Sequence, residues 1–386
     1  MEQDICERRH IYIIGSYINA CSIYRSIKAI GCTHPVTMLD TTISDGKCLA
    51  DIVCADACII KRKLSDKEDL FALIEDSSDE TVEKYVLFTD ETYMDAIRDA
   101  ISAGTLKSTI AYTGSSTGNE KIFDRFLFYQ FIDQLDTLET KTPRTMDGSV
   151  DPFAQFGSTF VVRLRRSWHS GVVLPSITIV NEEQQFAETL ARFRNAGLTE
   201  DDWCFQELLS ISDQHNISVC GWHDDKAYRY LVTRKVLQHP PKTGNGDVVE
   251  TIADFPQGLI ETTRIILTAM RYQGPFEMEF VFDKHTNCYK IIELNPRFWM
   301  QHGLFEELTN HYLIRRALRE KTDDRAISAK SAPHHYWINA NRFWYRLCKG
   351  QFSVLRYLNQ GSCYPGLTDS LRWMPYYREY TRKQRG

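Results

Sequence analysis

The stretch Gly274–Trp299 (GPFEMEFVFDKHTNCYKIIELNPRFW) places the strongest constraint on the fold, because its pattern predicts a β-hairpin. Side chains alternate across a strand, so Glu277 and Glu279 point to one face and the apolar residues around them point to the other. On the second strand, Glu293 and Asn295 share a face by the same rule. If the two strands pair, Glu279 lies close to Glu293 and Asn295.

Three oxygen-bearing side chains meet on this predicted hairpin. Carboxylate and amide oxygens suit a hard divalent cation such as Mg²⁺, so Glu279, Glu293 and Asn295 are the candidate metal ligands. Pro296 ends the second strand, and Arg297 follows with a guanidinium fork able to hold a phosphate. A half-exposed hairpin with a polar face is the alternative, and it suffices for Glu279 taken alone. It explains the whole set less well, since a solvated face would also carry Lys, Thr or Ser.

The composition is that of a folded and mildly acidic protein. A length of 386 residues predicts two or three domains. Apolar residues make up 43% of the chain and charged residues 25%, which excludes disorder for most of it. The net charge of −5 argues against nucleic acid as the main partner, because no bulk basic surface is available.

Neither a membrane nor an export route is expected. No apolar run approaches the roughly 20 residues that cross a bilayer. The segment MEQDICERRH is charged and lacks an apolar core, which excludes a secretory signal and favours a cytoplasmic protein. The eleven cysteines contain no C-x-x-C pair, and the group Cys48, Cys54 and Cys58 lacks the spacing of a structural zinc site. Buried or free thiols are therefore expected.

The first part of the chain alternates short strands with helices, which predicts a parallel sheet with helices on its faces. Only Gly15 stands in the first turn, followed by Ser-Tyr-Ile, so the glycine-rich fingerprint of a dinucleotide site is absent. The predicted strands are His10–Ile14, Val36–Leu39, Cys58–Ile60, Tyr85–Phe88 and Thr109–Tyr112. The predicted helices are Asn19–Ile30, Asp66–Glu75 and Glu91–Ala103.

A polar linker at Gly114–Gly118 separates this part from the rest, in which no internal repeat occurs. The predicted helices that follow are Glu120–Leu135, Glu182–Ala196 and Pro256–Gln273. Outside the hairpin, the predicted strands are Phe160–Leu164, Trp203–Leu209, Ile217–Trp222 and Tyr228–Leu237. Aromatic and basic residues in the tail favour core packing with a solvated terminus over nucleic-acid binding.

The hairpin with Glu-Leu-Asn-Pro-Arg at residues 293–297 resembles the metal-binding signature of the ATP-grasp superfamily. That motif is highly specific, whereas the other matching segments gain weight from their order and spacing over about residues 10–310. These other segments are Asp124-Arg125 with Thr142–Thr145, Phe160–Arg163, Phe205–Leu209, and Arg234-Lys235 with Pro240–Gly244. The segment that combines Arg234-Lys235 with Pro240–Gly244 resembles a stretch found in carboxylate–amine ligases that include D-aspartate ligase.

The resemblance implies a site for ATP. It implies that Arg125 and Arg163 hold the α- and β-phosphates from two sides, as basic groups on separate elements can do. Taken singly, such residues would be ordinary solvated charges or polar strand and loop positions. The remaining implied ligands are Glu207 and Leu209 for adenine through the backbone, Asp213 for the ribose, and Lys235 for phosphate or substrate.

One segment departs from the family pattern. Relatives carry a proline and several glycines after the second basic residue, in a flap that covers the phosphates. Here Leu164 follows Arg163, and the segment to Gly171 holds a single glycine. Side chains of Arg165, Arg166 or Ser167 are the expected substitutes for backbone contacts.

An α/β fold is implied, with α+β character in the catalytic part. The expected order is a Rossmann-like domain at residues 1–112, an ATP-grasp region at 113–330 with a small lid at about 150–210, and a C-terminal extension at 331–386. The helical stretch Asn339–Leu358 is expected either to cap the catalytic body or to form a homodimer contact.

The implied activity is ATP- and Mg²⁺-dependent joining of a small carboxylic acid to an amine through an acyl phosphate. Arg297 and Lys235 are the implied catalytic residues. Two alternatives stay open: the same fold acting on another acceptor, by thiol ligation or kinase-like transfer, and a non-catalytic nucleotide-binding protein. Two retained acidic ligands argue against the second alternative.

Overall fold

The computed structural model describes most of the chain. The polar linker at Gly114–Gly118, much of the flap after Leu164 and residues 240–243 lie outside the described residues. Those described are 9–63, 67–75, 82–89, 91, 93–104, 110–112, 122–166, 174–175, 177–239, 244–322 and 334–385.

The N-terminal part contains a parallel sheet of five strands in the order β3-β2-β1-β4-β5. Parallel strands covered on both faces are apolar throughout, and Ile11 to Ile14 are accordingly all buried. The predicted alternation of strands and helices is therefore present. The strands are β1 (Arg9–Ile14), β2 (Val36–Asp40), β3 (Cys58–Lys61), β4 (Glu83–Phe88) and β5 (Ile110–Tyr112). The helices are α1 (Ile18–Ala29), α2 (Ala50–Val53), α3 (Lys67–Glu75) and α4 (Met94–Ser102).

A small antiparallel sheet follows, in the order β6-β9-β7-β8. Its core is aromatic, with Phe160, Phe193 and Trp203 almost fully buried. The strands are β6 (Thr145–Asp147), β7 (Phe160–Leu164), β8 (Ile177–Val180) and β9 (Trp203–Glu207). The helices around it are α5 (Arg125–Asp133), α6 (Pro152–Phe156) and α7 (Glu183–Asn195).

Helix α5 begins later than the predicted helix Glu120–Leu135. Asp124 caps it, because its carboxylate accepts hydrogen bonds from the backbone N–H groups of Phe126 and Leu127, both at 3.0 Å. An N-cap residue has extended rather than helical backbone, so the helix starts at Arg125. The cap therefore places Arg125 in the first turn of the helix.

The largest sheet has seven strands in the order β14-β13-β10-β11-β12-β15-β16. The apolar side chains of the predicted hairpin, Phe276, Met278 and Phe280, are fully buried on the face that packs with α8 (Gly258–Ala269). The strands are β10 (Ile211–His223), β11 (Tyr228–His239), β12 (Asn245–Thr251), β13 (Gly274–Asp283), β14 (Cys288–Asn295), β15 (Tyr336–Asn339) and β16 (Gly361–Tyr364).

The C-terminal segment is built into the fold. Strands β15 and β16 extend the large sheet, and Trp337 and Trp373 lie fully buried in one cluster with Ile11 and Ile13 of β1. The predicted helical stretch Asn339–Leu358 is a helix followed by a 3-10 segment, Phe352–Gln360. The helices of this part of the chain are α9 (His302–Leu308), α10 (Tyr312–Ala317), α11 (Ala340–Cys348) and α12 (Leu367–Arg385).

None of the helices in the described ranges is both long and apolar enough to span a membrane. The described cysteines are free thiols, and several of them, such as Cys21 and Cys220, are buried.

Candidate functional site

The hairpin pairs in the register that brings the acidic residues together. Glu279 lies directly opposite Glu293, and Glu277 lies opposite Asn295. A β-bulge follows the Glu279 pair, which re-aims the strand just beyond these residues. Three carboxylates and one amide therefore share one face at the end of the two strands, opposite the apolar face.

Two arginines from different elements form ion pairs with Glu293. Arg125 Nη2 lies 3.0 Å from one carboxylate oxygen and Arg163 Nη2 lies 3.0 Å from the other. Arg163 also donates to the hydroxyl of Tyr129 at 3.1 Å, and that hydroxyl donates to the carbonyl of Ile292 at 2.5 Å. Helix α5, strand β7 and strand β14 are thus joined at one carboxylate.

The two guanidinium groups keep Glu293 ionised. Burial alone would raise its pKa, but Arg125 and Arg163 outweigh that effect and lower the pKa to about 2. Burial likewise opposes the charge on Arg125, and Glu293 more than compensates, so its pKa is raised. The negative charge of Glu293 and the positive charges of Arg125 and Arg163 therefore compensate each other in this cluster.

Lys235 and Glu279 form a second ion pair in the site, with Lys235 Nζ 2.6 Å from Glu279 Oε2. Burial would lower the pKa of the Lys235 ammonium, but Glu279 and then Glu277 raise it. Lys235 is on β11, two strands away from Glu279, since β10 lies between them. A long side chain crossing the face of the sheet is what allows this contact.

Asn295 connects the hairpin to the N-terminal part of the chain. Its Nδ2 donates to Glu277 Oε2 at 3.0 Å, and its Oδ1 accepts from Arg297 Nη2 at 3.2 Å. Arg297 Nε donates in turn to Glu91 Oε1 at 2.8 Å. Arg297 is therefore held between the hairpin and the segment that precedes α4.

Burial, and then the neighbouring Glu279, raise the pKa of Glu277 to about 7. A carboxyl whose pKa is raised in the folded state stabilises the fold fully only below its ordinary pKa, and that contribution is lost as the pH rises towards 7. We expect Glu277→Gln to remove about 2–3 kcal/mol of this pH dependence between pH 5 and pH 8.

Urea unfolding of both proteins at pH 5, 6.5 and 8 measures this effect. The wild type should lose stability with rising pH more steeply than Glu277→Gln. Equal slopes would contradict the assignment of Glu277 as the residue that titrates.

The donor set of Glu279, Glu293 and Asn295 suits Mg²⁺ in chemistry, since all of its ligands are oxygens. In this structure each donor is engaged by a basic side chain: Lys235 on Glu279, two arginines on Glu293, and Arg297 on Asn295. Across the described residues, no group of three or more His, Cys, Asp or Glu side chains is arranged to hold a metal ion. The predicted ligand set of Glu279, Glu293 and Asn295 contains two residues of these types, because its third donor is an amide.

The predicted adenine segment lies where the small sheet joins the large one. Glu207 ends β9, and its side chain accepts a hydrogen bond from the backbone N–H of Arg144 at 2.9 Å. Leu209 is half-buried in the connection, which Ser210 fastens by donating its N–H to Asp283 Oδ1 at 3.0 Å. Asp213 lies in β10, and its side chain is outside the part that the structure describes.

Arg165, an expected substitute in the flap, has another partner. Its guanidinium lies 2.9 Å from Asp124 Oδ2 and packs over the ring of Phe126. It therefore stabilises the start of α5 in this structure. Arg166 is exposed beside it, and the segment that follows lies outside the described residues.

Three residues of the site were missing from the predicted set. Glu277 lies two positions before Glu279, so strand alternation predicts that both side chains point to the same face. Tyr129 stands four residues after Arg125, on the same face of α5. Glu91 carries no local signal, because its contact with Arg297 spans more than 200 residues.

No family model matches the chain, and no curated protein matches it. Solved structures do match. N5-carboxyaminoimidazole synthetase from Staphylococcus aureus has a TM-score of 0.57 at 15% identity, over 82% of this chain and 78% of that one. Biotin carboxylase from Campylobacter jejuni, in a β,γ-ATP complex, has a TM-score of 0.60 at 15% identity, over 85% and 74%. L-amino acid ligase from Bacillus licheniformis has a TM-score of 0.60 at 13% identity, over 86% and 79%.

These enzymes share the ATP-grasp fold, and the chain has that fold. The resemblance inferred from the hairpin motif is confirmed at this level. At 13–15% identity the likeness shows the fold alone.

Proposed function

We propose that the chain is an ATP-dependent ligase that joins a carboxylic acid to an amine. One observation carries the proposal: Arg125, Arg163 and Glu293 converge from three elements onto one buried charged cluster. Such clusters cost free energy to bury, and replacing them by apolar residues often stabilises a protein. Their presence in an ATP-grasp fold is explained by a charged ligand.

ATP would enter this cluster by partner exchange. The triphosphate would take Arg125 and Arg163 away from Glu293 and so neutralise both guanidinium groups. Glu293, Glu279 and Asn295 would hold Mg²⁺. A bound Mg²⁺ supplies charge neutralisation on the phosphates. The basic and acidic groups that balance each other here would then each hold one component of the nucleotide.

The other nucleotide contacts follow the order of the segments. The backbone from Glu207 to Leu209 would hold adenine at the junction of the two sheets, and Asp213 would hold the ribose. Anchoring through Ser210 and Asp283 supports this role, because a fixed junction can present its backbone groups in a constant geometry.

The proposed reaction has two steps. A carboxylate oxygen of the first substrate attacks the γ-phosphorus, and the bond to the β,γ-bridging oxygen breaks, which gives an acyl phosphate and ADP. The amine nitrogen then attacks the acyl carbon, loses a proton, and releases phosphate. Arg297 would hold the carboxylate and then the acyl phosphate, and Lys235 would contact the transferred group once it leaves Glu279.

The remaining features are proposed with the function. We propose a Rossmann-like character for residues 1–112, because all of the strand pairs of this sheet are parallel and the order is β3-β2-β1-β4-β5. The catalytic region would be 113–330 with its lid at about 150–210. A cytoplasmic location and a homodimer remain predictions.

Release of ADP tests the proposal. With purified protein, ATP and Mg²⁺, a pool of carboxylic acids and amines should raise ADP release above the rate without substrates. Mass spectrometry of the product should show loss of one water relative to the acid and amine together. A thioester or a phosphorylated product would point to another acceptor, and absence of both ATP·Mg²⁺ binding and ADP release would contradict the proposal.

A further inference from the structure

A cavity of about 650 Å³ lies between the β1–α1 loop, the ends of β11 and β12, and helices α11 and α12. Its volume is in the range of small-molecule sites. Its wall is rich in aromatic and thioether side chains, among them Tyr17, Met300, Tyr345, Trp373, Tyr377 and Tyr380.

The cavity adjoins the candidate site at Gly246. A Cβ atom placed on Gly246 would lie 3.6 Å from Lys235 Cγ and 3.5 Å from Gln301 Nε2. The residues on either side of Gly246, Asn245 and Asp247, line the cavity. The start of β12 therefore adjoins both the cavity and Lys235.

The charge of the cavity is positive. Asp247 is its only described acidic lining residue, and it is buried and paired with Arg346, whose Nη2 lies 2.7 Å away. Arg342 forms a longer ion pair with the same carboxylate, at 3.8 Å, and its guanidinium packs over the ring of Tyr345. Arg378 lines the same cavity and is exposed. Arg342 and Arg378 thus bring two guanidinium groups to the cavity, and the carboxylate of Asp247 is paired with Arg346.

The α12 wall of the cavity is anchored to the N-terminal part of the chain, because Trp373 and Tyr380 lie in the buried cluster with Ile11 and Ile13. Helix α12 is tied to the N-terminal part by Arg25 and Asp369 at 2.7 Å and by Lys383 and Asp45 at 2.7 Å. A fixed wall reduces the entropy that a ligand loses on binding.

Resting on the ligase function proposed above, we propose that this cavity binds one of the two substrates, and that this substrate combines a carboxylate with an aromatic or other large apolar group. Arg342 and Arg378 would hold the carboxylate, because guanidinium forks match carboxylate geometry. The rings of Tyr345 and Tyr377 would contact the apolar part.

Calorimetric titration of the whole chain tests the proposal, once without nucleotide and once with a non-hydrolysable ATP analogue and Mg²⁺. The probes are 3-phenylpropionate, 2-phenylethylamine and acetate, which separate the carboxylate from the ring. We expect 3-phenylpropionate to bind with a dissociation constant below about 1 mM and at least about 10-fold more tightly than either other probe.

Arginine variants provide the second arm. Arg342→Gln and Arg378→Gln should each weaken the binding of 3-phenylpropionate by about 10-fold, since each removes a charge-assisted contact. Arg372→Gln is the matched control, because Arg372 is exposed on the same helix as Arg378 and does not line the cavity. Its affinity should equal that of the wild type.

The proposal is overturned if 3-phenylpropionate fails to bind under both conditions, if 2-phenylethylamine binds as tightly, or if neither arginine variant weakens binding. Titration of ATP·Mg²⁺ is the separate readout for the ligase function. Normal nucleotide binding without 3-phenylpropionate binding removes only the cavity proposal. Probe binding without nucleotide binding removes the ligase function and leaves a carboxylate site.

Discussion

Glu293→Gln is expected to lower the rate of ADP release by about 100- to 1,000-fold, the size of loss seen when one preorganised electrostatic contact is removed. The amide keeps the shape of the carboxylate but not its charge. It can neither balance Arg125 and Arg163 nor serve as an anionic Mg²⁺ ligand. The measurement is steady-state ADP release at saturating ATP, with ATP·Mg²⁺ affinity determined in parallel.

The same substitution should also destabilise the fold. Arg125 and Arg163 would lose the buried carboxylate that pairs with both of them, and losing one partner of a buried ion pair costs about 3–5 kcal/mol. The pKa of Glu293 is lowered to about 2, so its contribution is present above the ordinary carboxyl pKa and is lost as the pH falls towards 2. The stability gap between wild type and variant should therefore narrow between pH 5 and pH 2.

Two further variants separate the catalytic loss from the structural one. Glu293→Gln combined with Arg163→Gln should recover part of the stability, since one uncompensated charge is gone, but ADP release should stay low. Glu261→Gln is the control, because Glu261 is an exposed residue on α8 that forms an ion pair with Arg264 of the same helix. Wild-type ADP release by folded Glu293→Gln would remove both the metal and the phosphate assignments.

The hairpin was the part of the site that the sequence could predict. Strand alternation is a local rule, so the facing of Glu279, Glu293 and Asn295 follows from a few neighbouring residues on each strand. A short turn between the strands then leaves few possible registers. The observed pairing of Glu279 with Glu293 is one of these.

The ion pairs of the site could not be predicted in the same way. Arg125 meets Glu293 across 168 residues and Arg297 meets Glu91 across 206, so each contact depends on how whole elements pack. The sequence motif indicated which side chains belong to the site. It did not indicate that the basic and acidic members would be paired with each other.

The strands at the edge of the large sheet could not be predicted from the local sequence either. Strands β15 and β16 have four residues each, and half of β16 is Gly-Ser, so neither shows the alternation that marks a strand. They belong to the sheet because β12 offers an edge and because Trp337 fills the core beneath it. Tertiary packing rather than intrinsic propensity decides such strands.

Removal of residues 331–386 should leave a chain that does not fold. Four large side chains of this segment are buried in the cluster that also holds the core of β1: Trp337, Tyr364, Trp373 and Tyr380. Truncating one buried large aromatic residue costs about 3–5 kcal/mol, whereas the whole stability of a protein is about 5–15 kcal/mol. Losing four together should exceed the total.

A point substitution gives the same prediction on a measurable scale. Trp373 is fully buried, and Trp373→Ala should reduce the free energy of unfolding by about 3–5 kcal/mol. Leu371 lies two residues earlier on α12 and is 47% exposed, so Leu371→Ala should change it by less than about 0.5 kcal/mol. Urea unfolding followed by tryptophan fluorescence and circular dichroism measures both.

These experiments decide between two descriptions of the C-terminal segment. A dispensable extension would leave residues 1–330 folded, and Trp373→Ala would then be as mild as Leu371→Ala. An integral segment makes the cavity and the core depend on the same helix, because Tyr380 lies in the buried cluster and also lines the cavity. In that case Trp373→Ala should lower both the stability and the affinity for 3-phenylpropionate, because Trp373 belongs to the core and also lines the cavity, whereas Arg378→Gln should weaken binding with the fold intact.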